Sequence, residues 1–164
     1  MYKSWYKNKI IMDTKITKNF TWKEMQASAT AARKGIDNTI PEKLRPNMEK
    51  LCKEVLQPIR DAYGKPIVVG SGYRCPKLNK IVGGVSSSQH MQASAADIHS
   101  VSDTYKDNKI LWDLIINMIN SNKLNARQII WEYGKKGVGP DWIHIAINDS
   151  AHVNKKNQLV YIGI

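Results

Sequence analysis

SGYRCPKLNKIVGGVSSSQHMQASAADIHS, residues 71–100, is the stretch on which the reading of this chain turns. It holds His90 and Asp97, separated by six residues of which four are small: Ala93, Ser94, Ala95 and Ala96. Residues 95–98 suit a small-residue strand, and an acid set between Ala96 and Ile98 is buried at heavy cost unless something neutralises it. A second histidine comes much later, in the apolar, strand-like run Asp141-Trp142-Ile143-His144-Ile145-Ala146-Ile147.

Two imidazoles and a carboxylate are the donor set of a catalytic zinc, with a fourth position left for water. A loop His90, a strand Asp97 and a strand His144 can meet where neighbouring strands line a cleft. The expectation is one Zn2+ held by these three and hydrolytic chemistry beside it. Taken singly, each residue has a plainer reading: a surface-loop imidazole, a turn-capping acid, a satisfied core histidine. Asp141, three residues before His144, is expected at the cleft mouth as a general base; otherwise it is a turn residue after Gly139-Pro140. Arg74 can offer a fixed cation to a developing oxyanion or a substrate carboxylate, or it is a solvated loop arginine. His99, on the strand face of Asp97, is the rival third ligand, and His152 reads as solvated. Glu132 reads either as a partner of a ligand histidine or as a strand-end acid. Trp22, Trp112, Trp131 and Trp142 read mostly as core.

Working outward, Thr21-Trp22-Lys23-Glu24 is a capping-box pattern that starts a short helix toward Ser28, with a polar link ARKGIDN after it. Thr39-Ile40-Pro41-Glu42 is a second such pattern. Beyond it Leu44, Met48, Leu51, Cys52, Val55, Leu56, Ile59 and Tyr63 recur mostly at spacings of three and four. They predict one long helix ended by Gly64 and kinked at Pro58. A strand is predicted over 65–69, a helical turn over 76–81, and an amphipathic helix from Tyr105 to about Asn120. Three strands, 127–133, 142–147 and 159–162, complete an α+β pattern with helices packed on one side of a mainly antiparallel sheet and the site in a cleft on that sheet.

At 164 residues the chain is long enough for one domain with its own core, residues 16–164, preceded by a basic extension over 1–15. Twenty-five basic against 14 acidic residues give a net charge of +11, which favours polyanionic surroundings. The lysines are scattered rather than gathered into one face, which argues against nucleic acid as the partner. No apolar run approaches the roughly 20 residues of a membrane span. The two cysteines, Cys52 and Cys75, lack CxxC partners and read as free thiols.

SGYR at 71–74, Asn79, Gly83-Gly84, Ser88-Gln89-His90, Ala95-Ala96-Asp97-Ile98 and Trp142-Ile143-His144 together resemble the M15 family of zinc peptidases, its subfamily A above all. The likeness extends upstream through Phe20 to Met25, Gly35 to Asn38 and Val55 to Arg60. It implies a hedgehog/DD-peptidase-like fold with zinc on His90, Asp97 and His144, Asp141 as base, Arg74 stabilising the transition state and Ser88 contacting substrate. It further implies hydrolysis of peptide bonds in bacterial cell-wall stem peptides or cross-links, by a D-alanyl-D-alanine carboxypeptidase or an endopeptidase, as in phage endolysins. The alternative is a non-catalytic wall-binding module on the same fold. Peptidoglycan peptide is the expected substrate, anionic wall polymers the expected surroundings, and the expected state is a monomer. The N-terminal apolar stretch, Ile10 to Met12, is too short for a signal-peptide core. The expectation is therefore a protein that is cytoplasmic when synthesised and meets the wall after release by a separate lysis pathway. One departure stands out: the family pattern S-x-H-x-x-G-x-A-x-D has glycine where this chain has Ala93, which matters if the backbone there takes positive φ.

Overall fold

The computed structural model describes residues 14–153 and 155–163. The basic extension expected over residues 1–15 lies, as far as residue 13, outside the described residues; Lys15 pairs with Thr21 in an isolated bridge. Thr21 caps α1 (Trp22–Gln26) as expected, its hydroxyl accepting from the Glu24 amide. The link after it is shorter than its polarity suggests. Ser28 caps a second helix, α2 (Ala29–Arg33), by accepting from the Ala31 amide.

The long apolar stripe is helical throughout but not uniformly so. A 3-10 turn (Glu42–Leu44) leads into α3 (Arg45–Leu51), a π-helical turn (Cys52–Leu56) and α4 (Gln57–Tyr63), with Gly64 left-handed at the C-cap (φ 71°). No side-chain cap forms at Thr39, whose own amide instead donates to Asp37 Oδ1. The π turn sits where the kink was expected, and the cause is Pro58. It has no N–H for the carbonyl four residues back, and its ring crowds that carbonyl. The Gln57 amide accordingly reaches five residues back to the Cys52 carbonyl, widening the turn just ahead of the proline.

Five strands follow in the order β1-β2-β4-β3-β5: β1 (Ile67–Ser71), β2 (Ala95–Ser100), β3 (Gln128–Glu132), β4 (Trp142–Ala146) and β5 (Gln158–Ile162). All neighbours are antiparallel except β3 and β5. α5 (Pro76–Ile81) and a 3-10 turn (Gln89–Gln92) lie between β1 and β2, and α6 (Tyr105–Asn120) connects β2 to β3. β4 is inserted between β2 and β3, so the last-but-one strand of the chain becomes the partner of the small-residue strand.

Alternation divides the sheet. Ala96 and Ile98 of β2, Ile129 and Trp131 of β3, and Ile143 and Ile145 of β4 enter one core with Leu111 and Ile115 of α6 and Leu51, Val55 and Ile59 of the kinked helix. Trp112 and Trp131 meet edge to face at 5.3 Å within it. The other face of the same strands carries Asp97, His99, His144 and Glu132. The fold is therefore α+β, with the helices on one side and the polar residues of interest on the other. Cys52 is buried and Cys75 partly so, both free; the Cys75 Sγ caps α5 by accepting from the Leu78 amide. No helix among the described residues is long and apolar enough to cross a membrane.

β1 ends in a bulge: Val69 faces Ile98 but Ser71 faces Asp97, so Gly70 has no partner of its own. The bulge brings Gly72 against α1, where the Tyr73 amide donates to the Met25 carbonyl at 2.7 Å and a Cβ on Gly72 would overlap that carbonyl. Gly72→Ala should therefore destabilise the fold by about 1–3 kcal/mol, the usual range for overpacking, read as a lower denaturation midpoint in urea at unchanged slope.

Candidate metal centre

Three elements bring the site together. His90 is on the 3-10 turn, buried at 2% exposure. Asp97 and His144 face each other directly across β2 and β4. Asp97 Oδ1 lies 2.9 Å from His144 Nδ1 and 3.2 Å from His90 Nε2, and the two ring nitrogens are 3.2 Å apart. The insertion of β4 beside β2 is what makes this pair. His99 lies on the same face but outside the cluster, its Nδ1 turned to the Ser100 carbonyl at 2.8 Å and to Asp103 Oδ1 at 3.2 Å.

The protonation pattern fits a divalent cation. His90 Nδ1 stands 2.6 Å from the Gly72 carbonyl, which can only accept, so the ring proton sits there and Nε2 turns its lone pair inward. Ligating histidines are typically oriented by such a bond from the other nitrogen. Burial holds His90 below the ordinary imidazole pKa, so the ring is neutral, with Asp97 opposing the shift. Burial alone would raise the Asp97 carboxyl; His90 and His144 outweigh it and hold that group well below the usual carboxylate range. The neutral His90 ring and the ionised Asp97 carboxylate thus direct lone pairs at a common point that His144 Nδ1 also approaches. That arrangement repels itself unless protons or a cation fill it, and all three donor atoms lie within 4.8 Å of one another. The set of two nitrogens and one oxygen suits zinc with an open fourth position.

A cleft of about 670 Å³ adjoins the cluster, lined by Asp97, His99, Tyr105, Asp141 and Trp142 among others. Its mouth is fixed by a buried asparagine. Asn108 Oδ1 accepts from the Ser100 amide, while Nδ2 donates to the Pro140 and Asp141 carbonyls at 3.1 and 3.0 Å. This ties the end of β2 to the start of β4. Asp141 also donates its amide to the Glu132 carbonyl, and a hydrogen bond to its carboxylate raises the Tyr105 phenol. Asp141 thus lines the cleft but lies outside the three-residue cluster.

Arg74 is half-buried, with Nη2 3.6 Å from Asp97 Oδ2, its amide donating to the His90 carbonyl, and a buried Nε that has no hydrogen-bond partner. It is not the solvated arginine of the plainer reading. Ser88 is buried at the N-cap of the turn that carries His90. Glu132 proves to be on the cluster's face: burial raises its carboxyl, Asp97 adds to that, and His144 and Arg74 oppose it. Of the tryptophans, Trp22, Trp112 and Trp131 are core and Trp142 lines the cleft. His152 departs from expectation: both its ring nitrogens are engaged, by Asp149 and by the Ser87 carbonyl. Ala93 is left-handed (φ 54°), which accounts for the glycine in the family pattern.

Fold and site together define an α+β protein with a His–Asp–His cluster that could hold a metal ion beside a cleft. A family model described as Peptidase M15 matches residues 18–111, more than half of the chain. The chain belongs to that family, whose members are zinc-dependent peptidases. The matched region contains Arg74, Ser88, His90 and Asp97 and ends before Asp141 and His144. No curated protein matches the chain significantly.

Zinc titration of metal-free protein by calorimetry should give one ion per chain. His90→Ala or His144→Ala should weaken it by more than the roughly 10–100-fold lost with a supporting partner. Affinity should fall as the pH is lowered and His90 protonates. Because the His90 pKa is lowered, that loss belongs below the ordinary imidazole range. Undiminished binding by His90→Ala would remove the site.

Proposed function

We propose that the protein is a single-domain zinc peptidase, residues 16–164, that hydrolyses peptide bonds in bacterial cell-wall stem peptides or cross-links, of the kind found in phage-type lysins. His90, Asp97 and His144 are its metal ligands. The observation that carries this reading is the convergence of His90, Asp97 and His144, each from a different element, with Asp97 also lining the adjoining open cleft. A structural zinc site closes its fourth position with protein, whereas here the carboxylate of the cluster borders an open cavity.

When bound, zinc supplies Lewis acidity that polarises a carbonyl and acidifies water. The rest falls to the chain. Asp141, on the cleft wall, takes the proton of the attacking water and returns it to the leaving amine. Its aspartyl arm is short, so the water must lie close to the start of β4, which the Asn108 clamp keeps fixed. Arg74 directs its guanidinium toward the oxygen that gains charge; its backbone bond to His90 and its approach to Asp97 leave it preorganised for that role. Ser88 lies on the turn of His90 and contacts substrate from that side. The +11 charge keeps the protein near anionic wall polymers.

Purified peptidoglycan should release new amino groups or free amino acid on incubation with the zinc-loaded protein, and mass spectrometry of the products identifies the bond cut. Asp141→Asn should lower kcat by about 10²–10⁴-fold and Arg74→Ala by about 10²–10³-fold. Chelation should abolish the activity. Full activity after chelation, or in Asp141→Asn, refutes the mechanism; tight wall binding with no cleavage by the zinc-loaded protein favours a binding module.

A further inference from the structure

Asp149, in the loop after β4, has a fully buried side chain. Its Oδ1 accepts from the Ala151 and His152 amides, both at 2.8 Å, and faces His152 Nδ1 at 2.9 Å. Its Oδ2 accepts from the Ser94 hydroxyl. His152 Nε2 reaches the Ser87 carbonyl at 2.8 Å, across 65 residues of sequence. This loop therefore grips the chain at Ser87 on one side and at Ser94 on the other. Between those two points lie Ser88, Gln89 and His90.

Further bonds close the same frame. The Ser94 amide donates to the Gln89 carbonyl, the Ile147 amide to the Ser94 carbonyl, and Gln89 Nε2 to the Ile147 carbonyl. His90 has an anchor of its own in the Gly72 carbonyl. The exposed Ser87 has no such second hold among the bonds described: what reaches its carbonyl is His152. Ser94 is secured by several bonds, Ser87 by one side chain from a distant loop. Ser88 itself is held by local bonds, its amide donating to the Val85 carbonyl and its carbonyl accepting from the Met91 amide. The tie from a distant part of the chain at this leading end is His152, and it reaches Ser87 and not the ligand histidine.

We propose that Asp149 and His152 are positioning residues for substrate: buried Asp149 orients the imidazole, and the imidazole fixes the Ser87–Ser88 end of the segment that carries His90. This rests on the reading that Ser88 meets substrate. It assigns His152 an effect on substrate affinity and none on metal binding.

Amide length makes the test selective. A glutamine at 152 places its amide nitrogen where Nε2 is and keeps a donor for Ser87; an asparagine places it where Nδ1 is and keeps only the Asp149 contact. In the zinc-loaded protein, hydrogen exchange at the Ser88 and Met91 amides should be near wild type in His152→Gln and about tenfold faster in His152→Asn and His152→Ala, the loss of roughly one hydrogen bond to the segment. KM for the wall peptide should rise several-fold in the Asn and Ala variants with kcat within about twofold of wild type, and zinc should stay at one per chain. Equal exchange in the Gln and Asn variants, or a fall in kcat at unchanged KM, overturns the assignment. If the wild type cleaves no peptide, the function proposed above fails, while the exchange comparison still decides whether His152 positions this segment.

Discussion

A carboxylate set into a sheet of alanine and isoleucine has to be compensated, and the arrangement around Asp97 follows from that requirement. Its neighbours in the chain, Ala96 and Ile98, enter the core, so Asp97 points to the opposite face. There it receives two imidazoles and approaches a guanidinium, all partly or wholly buried. Burying a charge without partners costs far more than one domain can spare. Here the partners come from places far apart in sequence: a bulge-following arginine, a 3-10 turn and a strand 47 residues on. The neutral His90 ring cannot discharge the acid by itself, which leaves a demand for positive charge that a divalent ion meets.

The backbone around this group is shaped to deliver it. The bulge at Gly70 shifts the register of β1 against β2 and lets Gly72 present its carbonyl to His90. Ala93, left-handed and fully buried, turns the chain from the histidine turn into β2. A left-handed alanine costs about 1–2 kcal/mol. Glycine would relieve that, yet forfeit roughly 0.8 kcal/mol for a buried methyl and about 0.4–1 kcal/mol through the greater freedom of the unfolded chain. The terms nearly cancel, so alanine serves at this position without altering the turn.

Local pattern made much of this legible. Periodicity located the helix from Tyr105 to Asn120, and β-branched runs located the strands to within a residue or two. The unexplained acid in a small-residue strand pointed to His90, Asp97 and His144 before any geometry was known. What local pattern could not supply was strand order. The insertion of β4 between β2 and β3 is a long-range pairing, and it alone makes Asp97 and His144 neighbours. The Ser28-capped helix went unseen because its five residues are too few to show a period. The π turn was anticipated only as a kink, since a proline marks where a helix must adjust and not how. Glu132 and His152 read ambiguously because their significance lies in partners: Glu132 shares a face with His144 only through register, and His152 meets Ser87 only once the chain has folded.

The cleft mouth separates a site built for turnover from one that merely holds an ion. A metal needs only the three donors, and nothing about them requires Asn108. Yet Asn108 is buried and uses both ends of its amide to bind the end of β2 to the residues that precede β4. Gly139 is closely packed there as well, since a Cβ would overlap the Tyr105 backbone. These contacts hold Asp141 and Tyr105 in a cleft whose lining includes three carboxylates, Asp97, Asp103 and Asp141. A chain with 11 surplus positive charges has thus gathered acid at this cleft. Fixed carboxylates lining a cleft restrict and orient what enters it before any substrate arrives. That is the preorganisation that hydrolysis demands, and it gives the rigid mouth a purpose that metal storage or wall binding would leave unexplained.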